Sequence, residues 1–157
     1  YLDLLPNNDD ARAVAEQAVM IDEFLARLDK KGDLGITWRT DQQGDVLFHG
    51  HCHLKALVGS EPSLQWLRRI PNLQVDEIDS GCCGMAGTFG YGADHYELSL
   101  QIGELKLFPR LRELSTAQPG VLVSSTGAAC RLQIQQGAGQ SAMHSIQLIA
   151  KYLYPQR

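Results

Sequence analysis

Apolar residues recur at helical spacing near the start of the chain. Asparagine and aspartate occupy positions 7–10, where they suit the first turn of a helix. The apolar positions that follow share one helical face, and they are Val14, Ala18, Ile21, Leu25 and Leu28. Two lysines and Gly32 end the pattern, as is typical of a helix carboxyl terminus. The pattern therefore predicts one long first helix, to about Lys30.

Three short apolar runs predict buried strands at residues 45–49, 73–78 and 121–123. A further short strand is expected at 35–39. Helical patterns lie between and after these runs, and we expect helices at 54–58, 64–70 with a Ser63 cap, 94–108 up to Pro109, around Cys130 as far as Gly137 and Gly139, and 141–154. Strands that alternate with helices indicate parallel βαβ units. The sequence thus predicts an α/β fold with a mostly parallel sheet flanked by helices.

The chain of 157 residues is a normal length for one domain, and we expect residues 1–157 to form a single domain. The formal net charge of −4, with no basic run, disfavours a nucleic-acid surface. No signal peptide and no apolar stretch long enough for a transmembrane segment is apparent, so we expect a cytoplasmic location. Because the chain begins at Tyr1 rather than methionine, we expect a piece of a larger polypeptide.

The four cysteines are placed after strands. Cys52, the pair Cys82-Cys83 and Cys130 each follow a different predicted strand. The carboxyl ends of parallel strands meet at one edge, where such sheets bind ligands. We therefore expect all four sulfurs to converge there. Thiolates are soft ligands that suit iron–sulfur clusters and zinc. The spacing is unlike a zinc ribbon, which would show two separated C-x-x-C pairs.

Residues near the cysteines suggest how such a site is supported. Glycines around the pair, including Gly81 and Gly84, let the backbone approach a bulky ligand and present N–H groups to sulfur. Cys130 is expected in the first turn of a helix, which favours its thiolate. The histidines His49, His51 and His53 alternate around Cys52, and Lys55 follows. The histidines suit ligands, hydrogen-bond donors to ligands or proton carriers, whereas a strand-end packing role is the simpler reading of His49.

Three ordered motifs resemble the cysteine-rich CCG domain family. The motifs span residues 51–55, 79–91 and 126–134. The family includes a subunit of heterodisulfide reductase and the iron–sulfur subunits of glycolate and glycerol-3-phosphate dehydrogenases. It also includes the C-terminal region of FAD-linked D-2-hydroxy-acid oxidases, and the sequence around Cys82 is most similar to these fused oxidases. The resemblance extends over roughly residues 46–153.

The resemblance implies an electron-transfer module that works with FAD on another domain of the same or a partner polypeptide, and possession of a second CCG domain by the whole protein. It implies a location peripheral to the inner membrane in some members. Carried over by motif, the ligands of a 4Fe-4S type cluster would be Cys52, Cys82, Cys83 and Cys130, with support from His51, His53, Gly81 and Gly84. The fuller family pattern ends in C-x-x-C, whereas Gln133 stands at the last position here. A zinc-binding docking module, and a domain whose cysteines are merely buried or oxidised, are the alternatives.

We expect the isolated chain to have no dehydrogenase activity, because no flavin or dinucleotide motif and no acid–base pair accompanies the cysteines. The measurement is turnover of D-lactate, glycolate or 2-hydroxyglutarate with an artificial electron acceptor. Turnover by this chain alone would reveal an active site that the sequence does not show.

Overall fold

The computed structural model describes residues 2–32 and 34–154, and the chain forms two compact units, at 1–35 and 36–157. The first unit contains α1 (Asp9–Gln17) and α2 (Ile21–Lys30). The prediction of one long helix is wrong, because residue 18 and Met20 are extended and interrupt it. The side chain of Glu23 accepts a hydrogen bond from the Met20 N–H at 2.9 Å. This bond satisfies a donor at the helix start, so a second helix begins there.

The second unit is built on a four-stranded parallel sheet. Its strands are β1 (Gly44–His49), β2 (Leu73–Glu77), β3 (Leu122–Ser125) and β4 (Ala142–Met143). They lie in the order β2-β1-β3-β4, and every pair is parallel. Its helices are α3 (Cys52–Leu57), α4 (Glu61–Arg68), α5 (Ala93–Glu104), α6 (Leu107–Ala117), α7 (Ala128–Ala138) and α8 (Ser145–Lys151). The predicted α/β class and parallel sheet are confirmed.

The strand order creates a switch point beside β1. The chain leaves β1 through α3 and α4 to reach β2 on one side, and then passes through α5 and α6 to reach β3 on the other. Where successive connections run to opposite sides of one strand, a crevice opens at the carboxyl end of that strand. Proteins with α/β folds bind ligands in such crevices. The cysteine loops follow β1, β2 and β3, so this crevice is where they meet.

Two predicted helices have different bounds in the structure. The break expected at Pro109 falls earlier, between Glu104 and Leu107. Pro109 is the third residue of α6, where the missing N–H costs nothing because first-turn donors lack helical partners. The last helix begins only at Ser145, since residues 142–143 pair with β3 as β4. His144 then caps α8, with its Nδ1 accepting from the N–H of residue 146 at 3.1 Å.

Two smaller expectations also need correction. Residues 35–39 form no strand, and only Trp38 makes an isolated antiparallel bridge, with Leu153. Ser63 does not cap its helix, because α4 already begins at Glu61 after Ser60, and Ser63 is buried within it. Within the described ranges, no helix has both the length and the apolar character that a membrane crossing requires.

The apolar core on one face of the sheet packs around Phe108. The strand residues Leu47 and Val123 contribute to this core, together with residues of α6 and α7. A Cβ atom on Gly103 of α5, or on Gly137 of α7, would overlap the ring of Phe108. These two glycines therefore allow α5 and α7 to pack directly against the ring of Phe108. The position of α7 in turn fixes the position of Cys130.

We expect Gly137→Ala to destabilise the fold, although alanine normally stabilises a helix interior by up to about 1 kcal/mol relative to glycine. Overpacking against Phe108 costs about 1–3 kcal/mol, so the free energy of unfolding should fall by about 1–2 kcal/mol. Urea unfolding followed by tryptophan fluorescence measures it.

Gln136→Ala, at an exposed position of the same helix, is the matched control and should be close to neutral. Adding Phe108→Leu to Gly137→Ala should produce a smaller loss than the sum of the two single changes. Full additivity would contradict the proposed contact.

Candidate metal centre

The structure brings all four cysteines to the carboxyl edge of the sheet, as the strand pattern predicts. Cys83 and Cys130 form one group with His49, whose ligand atoms all lie within 4.8 Å of one another. Cys52 forms a second group with two histidines, also within 4.8 Å. The two groups adjoin, because a Cβ atom on Gly127 would lie within 3 Å of both the His51 ring and the Cys130 Sγ. The role of these cysteines as ligands stays a prediction.

The first group is buried. Cys83 is 3% exposed, Cys130 is 1% exposed and His49 is 1% exposed. The Cys130 thiol donates to Cys83 and lowers the pKa of Cys83 well below its usual range, and the His49 imidazole also favours the Cys83 thiolate. The same hydrogen bond, followed by burial, raises the pKa of Cys130. Cys130 is the third residue of α7, in the first turn of a helix as expected. That the helix start favours its thiolate stays a prediction.

His49 is the main site residue whose importance the sequence did not reveal. Its Nδ1 lies 2.6 Å from the Ser80 Oγ, across 31 positions of sequence. Its Nε2 is buried and has no hydrogen-bond partner among the described residues. The sequence did show that His49 ends β1 two residues after Leu47, on the face that carries the core. That alternation is the signal that places His49 on the side of Cys83 and Cys130.

The glycine-rich loop after β2 directs its N–H groups at sulfur. The Gly84 N–H donates to the Cys82 Sγ at 3.3 Å. Burial raises the pKa of Cys82, whereas the N–H groups of Gly84 and Ala86 oppose that rise by favouring the thiolate. Gly84 has a φ of +97°, and a Cβ there would overlap the Ser99 carbonyl. Gly81 is exposed and has open space at its Cβ position, so of these two glycines only Gly84 is sterically required.

The second group is more open to solvent. Cys52 is partly exposed at the first position of α3, and its Sγ lies 3.9 Å from the Nδ1 of the exposed His53. The His51 and His53 rings stack with centroids 5.3 Å apart. Burial, and then the charge of His53, lower the pKa of His51. A Cβ on Gly127 would lie 2.7 Å from the His51 ring and 2.9 Å from the Cys130 Sγ, so His51 links the two groups.

Two cations bind backbone carbonyls around the thiolates. The Lys55 Nζ donates to the Ser80 carbonyl at 3.0 Å, near the loop as expected. The guanidinium of Arg131 donates to the carbonyls of Ser125 and Thr126 at 3.0 and 3.1 Å. Arg131 was not anticipated from the sequence, although it directly follows Cys130. Both cations therefore lie where the chain leaves β2 and β3, at the start of the segments that carry the cysteines.

The remaining histidines lie outside the two groups. His95 stacks on Phe89 with ring centroids 4.3 Å apart, and His144 caps α8.

The residues present fit a thiolate-bound metal or cluster. Four free cysteines supply soft donors, loop N–H groups already point at the sulfurs, and a buried imidazole nitrogen lacks a partner among the described residues. Ligands at about 2.0–2.3 Å from one tetrahedral ion lie roughly 3.3–3.8 Å apart. The ligand atoms of the buried group lie within 4.8 Å of one another, so their separations exceed such a spacing by at most about 1.5 Å before any ion binds.

The chain is similar to two kinds of dehydrogenase. It is 32% identical over 108 residues to a subunit of the anaerobic glycerol-3-phosphate dehydrogenase of Escherichia coli strain K12, covering 69% of this chain and 26% of that protein. It is 31% identical over 108 residues to D-2-hydroxyglutarate dehydrogenase of the same strain, covering 68% and 10%. The enzyme of that name from Pantoea ananatis is 32% identical over 104 residues, covering 66% and 10%.

The chain therefore spans about a quarter of the first of these relatives and a tenth of the other two. No family model and no solved structure matches it. These matches agree with the expected relation to glycerol-3-phosphate and D-2-hydroxy-acid dehydrogenases.

We expect Cys52 and Cys82 to react with iodoacetamide before Cys83 and Cys130 in the reduced, metal-free chain, because alkylation requires access as well as a thiolate. Mass spectrometry of peptides at successive times measures the order, and urea-unfolded protein is the control in which the order should vanish. Because Cys83 has the lowered pKa, its reaction first would show that thiolate content outweighs burial.

Proposed function

We propose that this chain is the electron-transfer module of an FAD-linked oxidoreductase, and that Cys52, Cys82, Cys83 and Cys130 hold an iron–sulfur cluster. The observation that carries the proposal is the convergence of four thiols from three separate loops on one crevice of the sheet. Thiolates from several loops are the usual ligands of such clusters. The bound cluster would supply one-electron redox chemistry, which the side chains themselves lack.

The chain's own residues would set the environment of that chemistry. The N–H groups of Gly84 and Ala86 favour negative charge on Cys82, and such hydrogen bonds to sulfur raise a reduction potential. Lys55 and Arg131 add positive charge at the ends of β2 and β3. The core around Cys83 and Cys130 excludes water from one side.

The partly exposed side of the site is where an electron partner would approach. Cys52 and Cys82 are partly exposed, and His53 and Gly81 are exposed. The relatives named as dehydrogenases support a partner that oxidises a hydroxylated substrate. We assign that oxidation to FAD on another domain or polypeptide, and a second cysteine-rich domain is a further partner that the same surface would suit.

A zinc-binding docking module is the second candidate. The observation in its favour is the mixed nitrogen and sulfur set of His49, Cys83 and Cys130, whose separations are near those around a single tetrahedral ion. Such a module would hold partner domains together without carrying electrons.

Metal and sulfide analysis after anaerobic purification tests the proposal. Iron with acid-labile sulfide supports the electron-transfer module, and zinc without iron supports the docking module. Absence of both, in protein with four free thiols, would leave the cysteines as buried packing residues and contradict both functions.

We expect Cys82→Ser and Cys83→Ser each to abolish iron loading, because a serine oxygen is a harder and far less acidic donor than a thiolate. His51→Ala and His53→Ala should keep the iron but weaken binding about 10–100-fold or shift the potential. Iron per chain and redox titration are the measurements.

His144→Asn is the matched control, since asparagine preserves the cap of α8 outside the two cysteine groups. It should load iron like the unchanged chain. Full loading of both cysteine variants, together with iron loss in a His51 or His53 variant, would reverse the assignment of ligands.

A further inference from the structure

The buried group contains one ring nitrogen that has no hydrogen-bond partner in the described structure. Both sulfurs of this group have assigned interactions, since Cys130 donates to Cys83. The His49 Nε2, in contrast, is fully buried without a hydrogen-bond partner. A buried imidazole nitrogen without a partner is costly, and native structures normally satisfy such atoms. The ring lies near enough to Cys83 to favour its thiolate, yet makes no hydrogen bond of good geometry through Nε2.

The other ring nitrogen is already engaged. The Nδ1 of His49 lies 2.6 Å from the Ser80 Oγ, and the Ser80 carbonyl accepts from Lys55. When the Nδ1–H donates to Ser80, the lone pair of a neutral imidazole is on Nε2. Metal-bound histidines typically have this arrangement, with the second ring nitrogen donating to an oxygen that fixes tautomer and orientation.

We propose that His49 binds the metal of this centre through Nε2, together with Cys83 and Cys130, and that Ser80 is its positioning residue. The proposal rests on the proposed function, because it takes a metal centre at these cysteines as given. It adds a nitrogen ligand to a set that the motifs assign to sulfur alone. The metal is iron or a borderline-soft divalent ion such as zinc or cobalt.

His51 and His53 do not have the same features. They stack on each other beside Cys52, and His53 is exposed, so water can satisfy its nitrogens. His49 differs because it is buried, and because its ring lies beside Ser80, Cys83 and Cys130. The two flanking histidines are therefore matched controls that carry the same side chain a few residues away.

A nitrogen ligand changes the charge of the centre. A neutral imidazole as the added ligand gives the ligand set one negative charge fewer than an added thiolate would. Reduction adds negative charge, so it becomes more favourable, and histidine-ligated iron–sulfur centres have raised potentials for this reason. His49→Cys should therefore lower the reduction potential of the iron-loaded chain.

Cobalt(II) is the probe for the ligand itself, added to the full, metal-free and reduced chain. In the unchanged protein labelled with ¹⁵N-histidine, we expect one hyperfine-shifted histidine N–H, namely the Nδ1–H held by Ser80. His49→Gly should lose this resonance and weaken cobalt binding by more than about 100-fold, and added imidazole should restore binding. Ser80→Ala should keep the ligand but weaken binding about 10–100-fold.

His51→Ala and His53→Ala should keep the shifted resonance. Cobalt bound with thiolate charge-transfer absorption but without a shifted histidine resonance in the unchanged chain would overturn the proposal and leave the proposed function standing. Retention of the resonance in His49→Gly would also overturn it. Failure of the chain to bind cobalt, zinc or iron would overturn both, and because the unchanged chain carries the main readout, misfolding of a variant does not decide the result.

Discussion

The parallel pairing of β1 with its two neighbours is the constraint on which the site depends. Because β2 and β3 both run alongside β1 in the same direction, the chain emerges from all three at one edge. Cys52 and Cys130 are far apart along the chain, yet both lie at this edge of the sheet because each follows closely after its strand. The local sequence places each cysteine after a strand, and the common direction of the strands brings these positions to the same edge of the sheet.

Burial divides the site into two different environments. On the inner side, Cys83 and Cys130 belong to the same apolar core as Leu47 and Val123. The outer side is built on the first turn of the short helix α3, where Cys52 and His53 meet solvent. The low dielectric constant of the inner side strengthens electrostatic interactions there. The accessible outer side allows another molecule to come close enough for electron transfer. An electron-transfer centre needs both properties.

Local patterns predicted much of the fold, whereas features that depend on distant residues were missed. The apolar run that ends at His49 is sufficient to predict β1, and the spacing of cysteines after strands is sufficient to predict their common edge. The sequence predicts helix where the structure has β4, because a strand of two residues shows no periodicity and its conformation depends on pairing with β3. The break before α2 is local, but it follows from the single side chain of Glu23 and not from the apolar period. The role of His49 depends on Ser80, whose proximity follows only from the sheet.

Gly127 has a consequence for how far this site can vary. The hydrogen of this residue faces both the His51 ring and the Cys130 sulfur, so a single added carbon would push the buried and open groups apart. Gly81, in the loop on the other side, has free space around it. Substitutions should therefore be tolerated at Gly81 and not at Gly127. Related chains can vary the exposed surface around Gly81, whereas the contact of Gly127 with His51 and Cys130 requires glycine.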